Sequence, residues 1–387
     1  MRRPLRVLLV VKSTGGVAEY IRWLIYGIDR EKFSFTVACL SENGREFAAE
    51  LRQVAGVQTL HYEIDRYNVD LVSDTRVGLQ LMELIRSQHF DLIHAHASKP
   101  GFLARMAAIG SGVPVLYSPH CFAFHAGASP WKNLITSSLE NFASYFTTRI
   151  ITVAEGEREL ARKYRVGRDD QFAVIHTGID PKPYRQPVDR AHLRESLGIP
   201  ASAPVVGSVG RLSEQKSPLD FVRLAEAVHK SRPDAHFVWV GDGPLEEEVR
   251  TLSTLLRLNS VMHLLGYRND VPQLLHIFDC FVLTSRWEGF PLVILEAMAS
   301  GAPVIATNIP GTSEAIQHEV NGLLVPVGDT QTMAGLVLDV LADPVKSDSF
   351  SAASYARIET EFTRDRMLCM IRDLYLEVTS GRHSEND

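Results

Sequence analysis

The feature that most constrains the fold is the regular alternation of short apolar segments with longer amphipathic segments, in two successive runs. The apolar segments have the length of strands, and each is followed by a polar or glycine turn and then by residues with helical periodicity. Such alternation predicts parallel sheets whose strands are joined by right-handed helical crossovers. The predicted strands are residues 5–11, 35–40, 57–62, 92–96, 113–117 and 150–153 in the first run, and 204–209, 236–240, 261–265, 280–284, 303–306 and 322–325 in the second.

The chain length of 387 residues favours two domains over a single hydrophobic core. Residues 177–185 are rich in turn formers and include two prolines, so we interpret them as a hinge between the two runs. We therefore predict an N-terminal Rossmann-like domain over residues 1–180 and a C-terminal one over residues 181–362. Two doubly wound domains joined in this way would face each other across a deep cleft.

Charge and cysteine content argue against several classes of protein. A formal net charge of −6 disfavours nucleic acid as the main partner. The 4 cysteines are scattered, which argues against structural zinc and a disulfide framework and fits a reducing cytoplasm. The N-terminal apolar run ends at Lys12 and Ser13, so it predicts a buried strand rather than a signal peptide. No apolar stretch approaches membrane-spanning length, and we expect a cytoplasmic protein.

Two glutamates eight positions apart mark a loop and helix between two predicted strands of the second run. Glu288 opens the sequence EGFPLVILE and Glu296 closes it, with a helix predicted over 292–300. Eight positions are close to two helical turns, so the two carboxylates should lie on roughly the same side. Carboxylates accept hydrogen bonds from the paired hydroxyls of a sugar or a ribose. The alternative is that Glu288 is an ordinary first-turn acid and Glu296 a solvated helix residue.

Other strand ends carry residue types that suit a nucleoside diphosphate. Arg211 and Lys216 can together neutralise a diphosphate, unless they are a solvated pair at a helix start. Glycines at strand-to-helix turns let the backbone approach a phosphate, and backbone groups at a strand end can read a base edge. Plain turns are the alternative for these positions. They are Gly15, Gly16, Gly241, Gly266 and Tyr267.

Histidines are concentrated at the strand ends of the first run. His94 and His96 close one predicted strand, and His120 follows the next. Two alternate histidines and a third could bind a metal ion, but no carboxylate follows close behind them, so we predict no metal site. His120 ends its strand at the crevice edge, where it could hydrogen-bond a sugar hydroxyl. A purely structural hydrogen bond is the alternative for His120.

Taken together, these motifs resemble the retaining glycosyltransferases of family 4, which have the GT-B fold. The resemblance covers nearly the whole chain. Its pieces are the glycine pair at Gly15, the sequence HAH at 94–96, YSPH ending at His120, HTGID from His176, Arg211 with Lys216, VGDGP at 240–244, LGY at 265–267, and EGFPL followed by Glu296. It implies two Rossmann-like domains, acceptor-side and nucleotide-sugar-binding, and a C-terminal helix over 363–387 that crosses back to the first.

The resemblance also implies roles for the matching residues. Arg211 and Lys216 would bind the donor diphosphate, and Gly16 would touch it from the N-terminal domain. Glu296 would bind the ribose hydroxyls. The remaining donor residues would be Gly15, Gly241, Gly266, Tyr267 and Gly289.

The donor sugar would be bound by Glu288 with the backbone amides of Phe290 and Leu292. Pro291 has no N–H where many members of the family have glycine, so the resemblance implies one amide contact fewer here. His120 would lie beside the reacting sugar and share with Glu288 the catalytic role.

The implied activity is transfer of a hexosyl or N-acetylhexosaminyl unit from a nucleoside-diphosphate sugar, with UDP favoured, in cell-surface polysaccharide biosynthesis. Retention would follow from front-face attack, and neither a cofactor nor a metal ion would be needed. The acceptor would be a saccharide, free or linked to polyprenyl diphosphate. Alternatives are a sugar-nucleotide epimerase on the same fold, a non-catalytic nucleotide-sugar-binding module, and a transferase with a soluble small-molecule acceptor.

The aromatic stretch after His120 predicts a contact with the inner face of the plasma membrane. Residues 122–131 read FAFHAGASPW, and an amphipathic helix with few charges follows. We expect Phe122, Phe124 and Trp131 to be exposed at the cleft rim, where aromatic side chains beside basic residues suit a membrane interface. The alternative is that these rings pack in the protein's own core.

Overall fold

The computed structural model describes residues 3–13, 15–41, 44–65, 68, 70–125 and 127–380. The chain divides into two compact units. Unit 1 is Met1–His176 with Arg364–Asp387, and unit 2 is Thr177–Thr363. Each unit is organised around one fully parallel sheet, so the prediction of two doubly wound α/β domains is confirmed.

Unit 1 has a seven-stranded sheet in the order β3-β2-β1-β4-β5-β6-β7 within its described residues. The strands are β1 (Leu5–Val11), β2 (Phe33–Leu40), β3 (Val57–Tyr62), β4 (Leu92–His96), β5 (Val115–Ser118), β6 (Arg149–Thr152) and β7 (Phe172–Val174). The helices are α1 (Gly16–Gly27), α2 (Gly44–Arg52), α3 (Leu71–Gln88), α4 (Ser98–Ala107), α5 (Pro130–Ser144), α6 (Glu155–Lys163) and, from the C-terminal segment, α15 (Arg364–Ser380).

Helix α15 belongs to the core of unit 1 although it follows unit 2 in the chain. Its residues Leu368, Ile371 and Tyr375 are buried in the same cluster as β1 and α1. A Cβ on Gly27 of α1 would lie 2.3 Å from a methyl of Leu368, so the glycine allows α1 and α15 to pack closely. The last helix of the chain is therefore part of the hydrophobic core of unit 1.

Unit 2 has a six-stranded sheet in the order β10-β9-β8-β11-β12-β13. The strands are β8 (Val205–Val209), β9 (His236–Val240), β10 (Met262–Leu264), β11 (Cys280–Leu283), β12 (Val304–Thr307) and β13 (Leu323–Val325). The helices are α7 (Arg190–Ser196), α8 (Pro218–Ser231), α9 (Glu246–Leu255), α10 (Val271–Leu275), α11 (Leu292–Ser300), α12 (Thr312–Ala315), α13 (Thr330–Ala342) and α14 (Pro344–Glu361).

Several helix starts follow directly from local sequence. Asp70 accepts hydrogen bonds from the N–H groups of Val72 and Ser73 and so caps α3, and Asp343 caps α14 before a proline at its first position. Among the described helices, none combines the length and the apolar composition needed to cross a membrane.

The strand order of each sheet defines one point where ligands of doubly wound proteins bind. In unit 1 the order reverses between β1 and β4, and in unit 2 between β8 and β11. At such a switch point the neighbouring crossovers leave on opposite faces, and a crevice opens beyond the carboxyl ends of the strands. The loops after these four strands therefore line the two crevices.

Candidate active site

In unit 2 the switch point brings Lys216 and Glu288 together. Lys216 lies in the loop after β8 and Glu288 in the loop after β11, and Lys216 Nζ donates to Glu288 Oε1 over 2.6 Å. The Lys216 stem runs along Gly210, where an added Cβ would lie 3.2 Å from its Cε. The two side chains are only 15% and 9% exposed, so the ion pair is shielded from bulk water.

Glu288 accepts two further hydrogen bonds that fix its carboxylate. Ser285 Oγ donates to Oε1 over 2.7 Å, and Gln215 Nε2 donates to Oε2 over 3.1 Å. Gln215 Nε2 also donates to the carbonyl of Trp287 over 3.0 Å, which orients the amide. A carboxylate held in this way is preorganised, because binding a ligand would require little rearrangement of its partners.

Glu296 lies on α11 and has a different partner. Tyr184 donates its hydroxyl to Glu296 Oε1 over 2.9 Å. Helix α11 spans Leu292–Ser300 as predicted, so Glu288 precedes the helix and the spacing of two helical turns does not apply to the whole interval between the glutamates. Pro291 lacks the N–H of a helix interior and takes the N-cap position of α11.

The backbone between the two glutamates is held by a close contact. Gly289 and Phe290 are buried, and Phe290 packs against the ring of Phe362. A Cβ on Gly311, whose φ is +85°, would lie 2.0 Å from the carbonyl oxygen of Gly289. The loop can therefore occupy this position only because residue 311 has no side chain.

Glycines also meet at the ends of the neighbouring strands of unit 2. The N–H of Gly241 donates to the carbonyl of Gly266 over 2.8 Å, and a Cβ on Gly241 would lie 2.2 Å from the carbonyl oxygen of Gly210. Arg211 and Tyr267, next to this cluster, are exposed. The strand ends after β8, β9 and β10 thus present backbone and accessible side chains along one edge of the sheet.

In unit 1 the loop after β1 begins a helix at the glycine pair. Gly15 is the N-cap of α1 with φ +62°, and Gly16 is the first helical residue; both are exposed. The backbone N–H groups in the first turn of a helix attract anions, so this end of α1 has the properties expected for a phosphate contact.

The three histidines of unit 1 form a cluster with defined contacts. His94 Nδ1 lies 2.6 Å from Tyr375 Oη and its Nε2 lies 2.8 Å from Ser118 Oγ. His96 Nδ1 lies 3.0 Å from His120 Nε2, with the two rings nearly parallel. Each contact needs one donor and one acceptor, so the cluster favours neutral imidazoles in defined tautomers.

Burial keeps this cluster uncharged. Desolvation holds the pKa of His94 and His96 well below the usual range, with the neighbouring histidines as a lesser cause. Burial, followed by the Lys12 cation, lowers the pKa of His120 to about 4. His120 has φ +59°, a conformation that a non-glycine residue adopts only when its surroundings impose it. Near neutral pH it is a hydrogen-bonding group rather than a cation.

Within the residues the structure describes, no group of three or more His, Cys, Asp or Glu side chains is arranged to hold a metal ion. The histidine cluster fits this description, because the ring nitrogens of His94 face Tyr375 and Ser118 rather than a common point with His96 and His120.

Four functional candidates were not predicted from the sequence. Gln215 and Ser285 hold Glu288, Tyr184 holds Glu296, and Tyr375 reaches His94 from α15. Ser285 stands at a strand end and could have been suspected from that position. The other three contacts join residues remote in sequence and have no local signal.

The expectation that Phe122, Phe124 and Trp131 are exposed is wrong for the two phenylalanines. Phe122 and Phe124 are fully buried and stack on each other with ring centroids 4.6 Å apart. They pack in the cluster formed by α3, α4 and β5. Trp131, in the first turn of α5, is exposed as expected.

Comparison with known families matches the two halves of the chain separately. The model described as "Glycosyltransferase Family 4" matches residues 14–182, and the model described as "Glycosyl transferases group 1" matches residues 189–357.

Individual relatives cover most of the chain. An Escherichia coli protein named UDP-Gal:alpha-D-GlcNAc-diphosphoundecaprenol alpha-1,3-galactosyltransferase is 34% identical over 81% of this chain and 82% of its own length. A Corynebacterium glutamicum protein named GDP-mannose-dependent monoacylated alpha-(1-6)-phosphatidylinositol monomannoside mannosyltransferase is 28% identical over 91% and 92%. Among solved structures, Anabaena HepE in complex with UDP-glucose superimposes with a TM-score of 0.80 at 25% identity, covering 97% of this chain and 100% of that one.

Proposed function

This chain belongs to glycosyltransferase family 4 and is a glycosyltransferase of the GT-B fold, and from that premise we propose a specific reaction for it. It transfers a hexosyl or N-acetylhexosaminyl unit from a UDP-sugar to a lipid-linked saccharide, with retention of the anomeric configuration and without a metal ion. The reaction serves cell-surface polysaccharide assembly at the cytoplasmic face of the plasma membrane. The observation that carries this proposal is the shielded Lys216–Glu288 pair at the switch point of unit 2.

Lys216 supplies positive charge to the donor diphosphate. Its ammonium group has three N–H donors, and the contact with Glu288 leaves it directed across the loop ends after β8 and β11. Arg211, exposed in the same loop, provides a planar guanidinium that suits a phosphate oxygen pair. The diphosphate gains negative charge as it leaves, so cations fixed beside it stabilise the transition state more than the bound donor.

Glu288 and Glu296 divide the recognition of hydroxyl groups. Glu288 accepts hydrogen bonds from the hydroxyl groups of the donor sugar. The backbone of Gly289, Phe290 and Leu292, which follows Glu288 and leads into α11, contacts the same sugar. Glu296 accepts from the ribose hydroxyls, and Tyr184 keeps its carboxylate in one orientation. This division fits the different partners that hold the two carboxylates.

The chemical step exchanges one bond at the anomeric carbon for another. The bond from the anomeric carbon to the donor phosphate oxygen breaks, and a bond to the acceptor oxygen forms on the same face. The acceptor hydroxyl gives its proton to a phosphate oxygen of the leaving UDP. His120, neutral at physiological pH, hydrogen-bonds a hydroxyl of the reacting sugar and does not itself act as the proton donor.

A lipid-linked acceptor is favoured by the names of the relatives. The Escherichia coli relative is named for a diphosphoundecaprenol-linked acceptor and the Corynebacterium one for a phosphatidylinositol mannoside. The nucleotide is favoured as UDP by the first of these names and by the UDP-glucose complex of HepE.

The test is direct turnover with defined substrates. Purified protein is screened by thermal shift against UDP- and GDP-sugars, and the stabilising donor is incubated with a saccharide linked to a short-chain polyprenyl diphosphate. The proposal expects release of UDP and a product whose anomeric ¹H–¹³C coupling matches that of the donor. A product of inverted configuration would overturn retention, and an epimerised sugar nucleotide formed without acceptor would favour the epimerase alternative.

A further inference from the structure

Helix α5 is oriented with its apolar side outward. The face turned to the protein carries Asn133, Ser137, Glu140 and Ser144, all buried. The opposite face carries six large apolar or aromatic residues that are 44–73% exposed. They are Trp131, Leu134, Ile135, Leu139, Phe142 and Tyr145. Their spacing of three and four residues makes one continuous stripe along the helix, which we call the α5 face.

The α5 face continues into an apolar groove of unit 1. Leu139 also lines a cavity of about 540 Å³ between α3, α4 and α5. Its larger apolar walls include Leu79, Met82, Phe102, Leu103 and Met106, and the charged residues Asp74, Lys99 and Glu140 also line it. A cavity of this size is in the range that holds a small ligand, and its mainly apolar lining suits an alkyl or isoprenoid chain.

The exposed charges around this surface are mainly positive. Helices α3 and α5, with the N-cap of α3, expose three cations, Arg76, Arg86 and Lys132, against two carboxylates, Asp70 and Glu83. The whole chain, in contrast, has a net charge of −6. Two copies of this chain would bring two positive surfaces together, whereas an anionic lipid surface would attract them.

We propose that the α5 face and the adjoining groove dock unit 1 on an anionic lipid bilayer, with the groove taking one hydrocarbon chain from it. This inference deepens the proposed function, and it rests on the lipid-linked acceptor proposed there. Trp131 and Tyr145, at the two ends of the stripe, lie at the headgroup level, and the aliphatic residues between them enter the boundary of the acyl chains. Binding is peripheral and reversible, because one helix face buries limited apolar area.

The test is co-sedimentation with vesicles of phosphatidylcholine alone or mixed with phosphatidylglycerol. The face variant is Trp131→Ser/Leu134→Ser/Phe142→Ser. A matched control, Tyr26→Ser/Leu255→Ser/Val345→Ser, replaces three residues with 60–79% exposure on other helices. Because all six residues are exposed, both variants should fold, which circular dichroism and thermal melting check.

Wild type and control should bind mixed vesicles, and the partition coefficient of the face variant should be at least about tenfold lower. The charge variant Arg76→Glu/Lys132→Glu should lose binding to mixed vesicles and leave any binding to neutral vesicles unchanged. The proposal is overturned if wild type stays in the supernatant or if the control binds as weakly as the face variant. A wild-type dimer that the face variant dissociates, without vesicle binding, would make the surface an interface between copies and would equally overturn it.

Turnover on a short-chain, water-soluble acceptor separates this inference from the proposed function. The face variant should retain wild-type turnover on that acceptor and lose it on acceptor embedded in vesicles. If vesicle binding fails while the soluble acceptor is used, the docking surface is wrong and the reaction stands. If vesicles bind but no acceptor is glycosylated with any sugar nucleotide, the reaction is wrong and the docking surface stands.

Discussion

Replacing Glu288 by glutamine tests the core of the proposed site with almost no change in shape. The carboxylate accepts from Lys216, Ser285 and Gln215, so both of its oxygens are acceptors. A glutamine amide can keep only one of them. If the oxygen of the new amide faces Lys216 and Ser285, its NH₂ group faces the NH₂ group of Gln215. The Gln215 amide cannot flip to offer its oxygen instead, because it would lose its hydrogen bond to the Trp287 carbonyl.

The size of the effect follows from the hydrogen bonds that the amide cannot make. A hydrogen bond to a charged group contributes about 1.5–3 kcal/mol, and one made to the transition state about 2.7–4 kcal/mol. We therefore expect kcat/KM of Glu288→Gln to fall by about 10²-fold or more. The affinity for UDP should be unchanged or higher, because Lys216 no longer shares its positive charge with a carboxylate.

The assay combines steady-state release of UDP with calorimetric titration of UDP. Glu319→Gln, which makes the same charge change at a side chain 78% exposed in the same unit, is the control and should match wild type. Lys216→Met should show the other pattern, with weaker UDP binding as well as slower turnover. If Glu288→Gln keeps turnover within about threefold of wild type, Glu288 does not contact the reacting sugar and the reasoning is refuted.

Three further outcomes are expected. Gly311→Ala should abolish most activity, because its Cβ would collide with the Gly289 carbonyl. The control Gly328→Ala has nearly the same φ of +83° but lies in open space, so it should keep its activity and lose only modest stability. Equal turnover in the two variants would contradict this reasoning. Turnover should survive EDTA, and activity abolished by chelation and restored by Mg²⁺ or Mn²⁺ would argue for a metal ion. Burial holds the pKa of His94 and His96 below the ordinary histidine value of about 6.5, so below that pH the unfolded chain binds more protons than the folded one. The melting temperature should therefore drop between about pH 7 and pH 5. A melting temperature that stays constant over this range would refute the argument.

The features predicted correctly are those encoded by local periodicity. Strands such as β1 and β11 are apolar runs, broken in β1 only by Arg6, and the sheets bury both of their faces, so length and hydrophobicity suffice to locate them. Once the strands are located, their carboxyl ends are known, and so are the residues that lie at the two switch points. Residue types alone led to Lys216 and Glu288, although only the three-dimensional structure shows that they form an ion pair.

Errors arose where a local rule met a tertiary constraint. Eight positions correspond to two helical turns only where the whole interval is helical, and the interval from Glu288 to Glu296 begins in the loop that precedes α11. Tyr184 reaches Glu296 across 112 positions of sequence, and no periodicity reports such a contact. Phe122 and Phe124 differ from the expectation because aromatic residues near a strand end are equally compatible with a rim and with a core.

The orientation of α5 shows why an amphipathic pattern cannot by itself say which face is buried. Arg105 of α4 is fully buried, stacks its guanidinium 3.8 Å above the ring centre of Tyr117, and donates to Glu140 Oε2 over 2.7 Å. Turning α5 to bury Leu134 and Phe142 would remove Glu140 and leave that cation without its carboxylate. Such a loss costs about 3–5 kcal/mol, and the hydroxyl of Tyr117, which donates to the same carboxylate, would also lose its partner. Arg105 and Tyr117 both depend on the Glu140 carboxylate, so the orientation of α5 that satisfies them is the one that leaves its apolar face outward. A surface kept apolar in this way needs a partner outside the unit, and the positive charges beside it favour an anionic lipid bilayer.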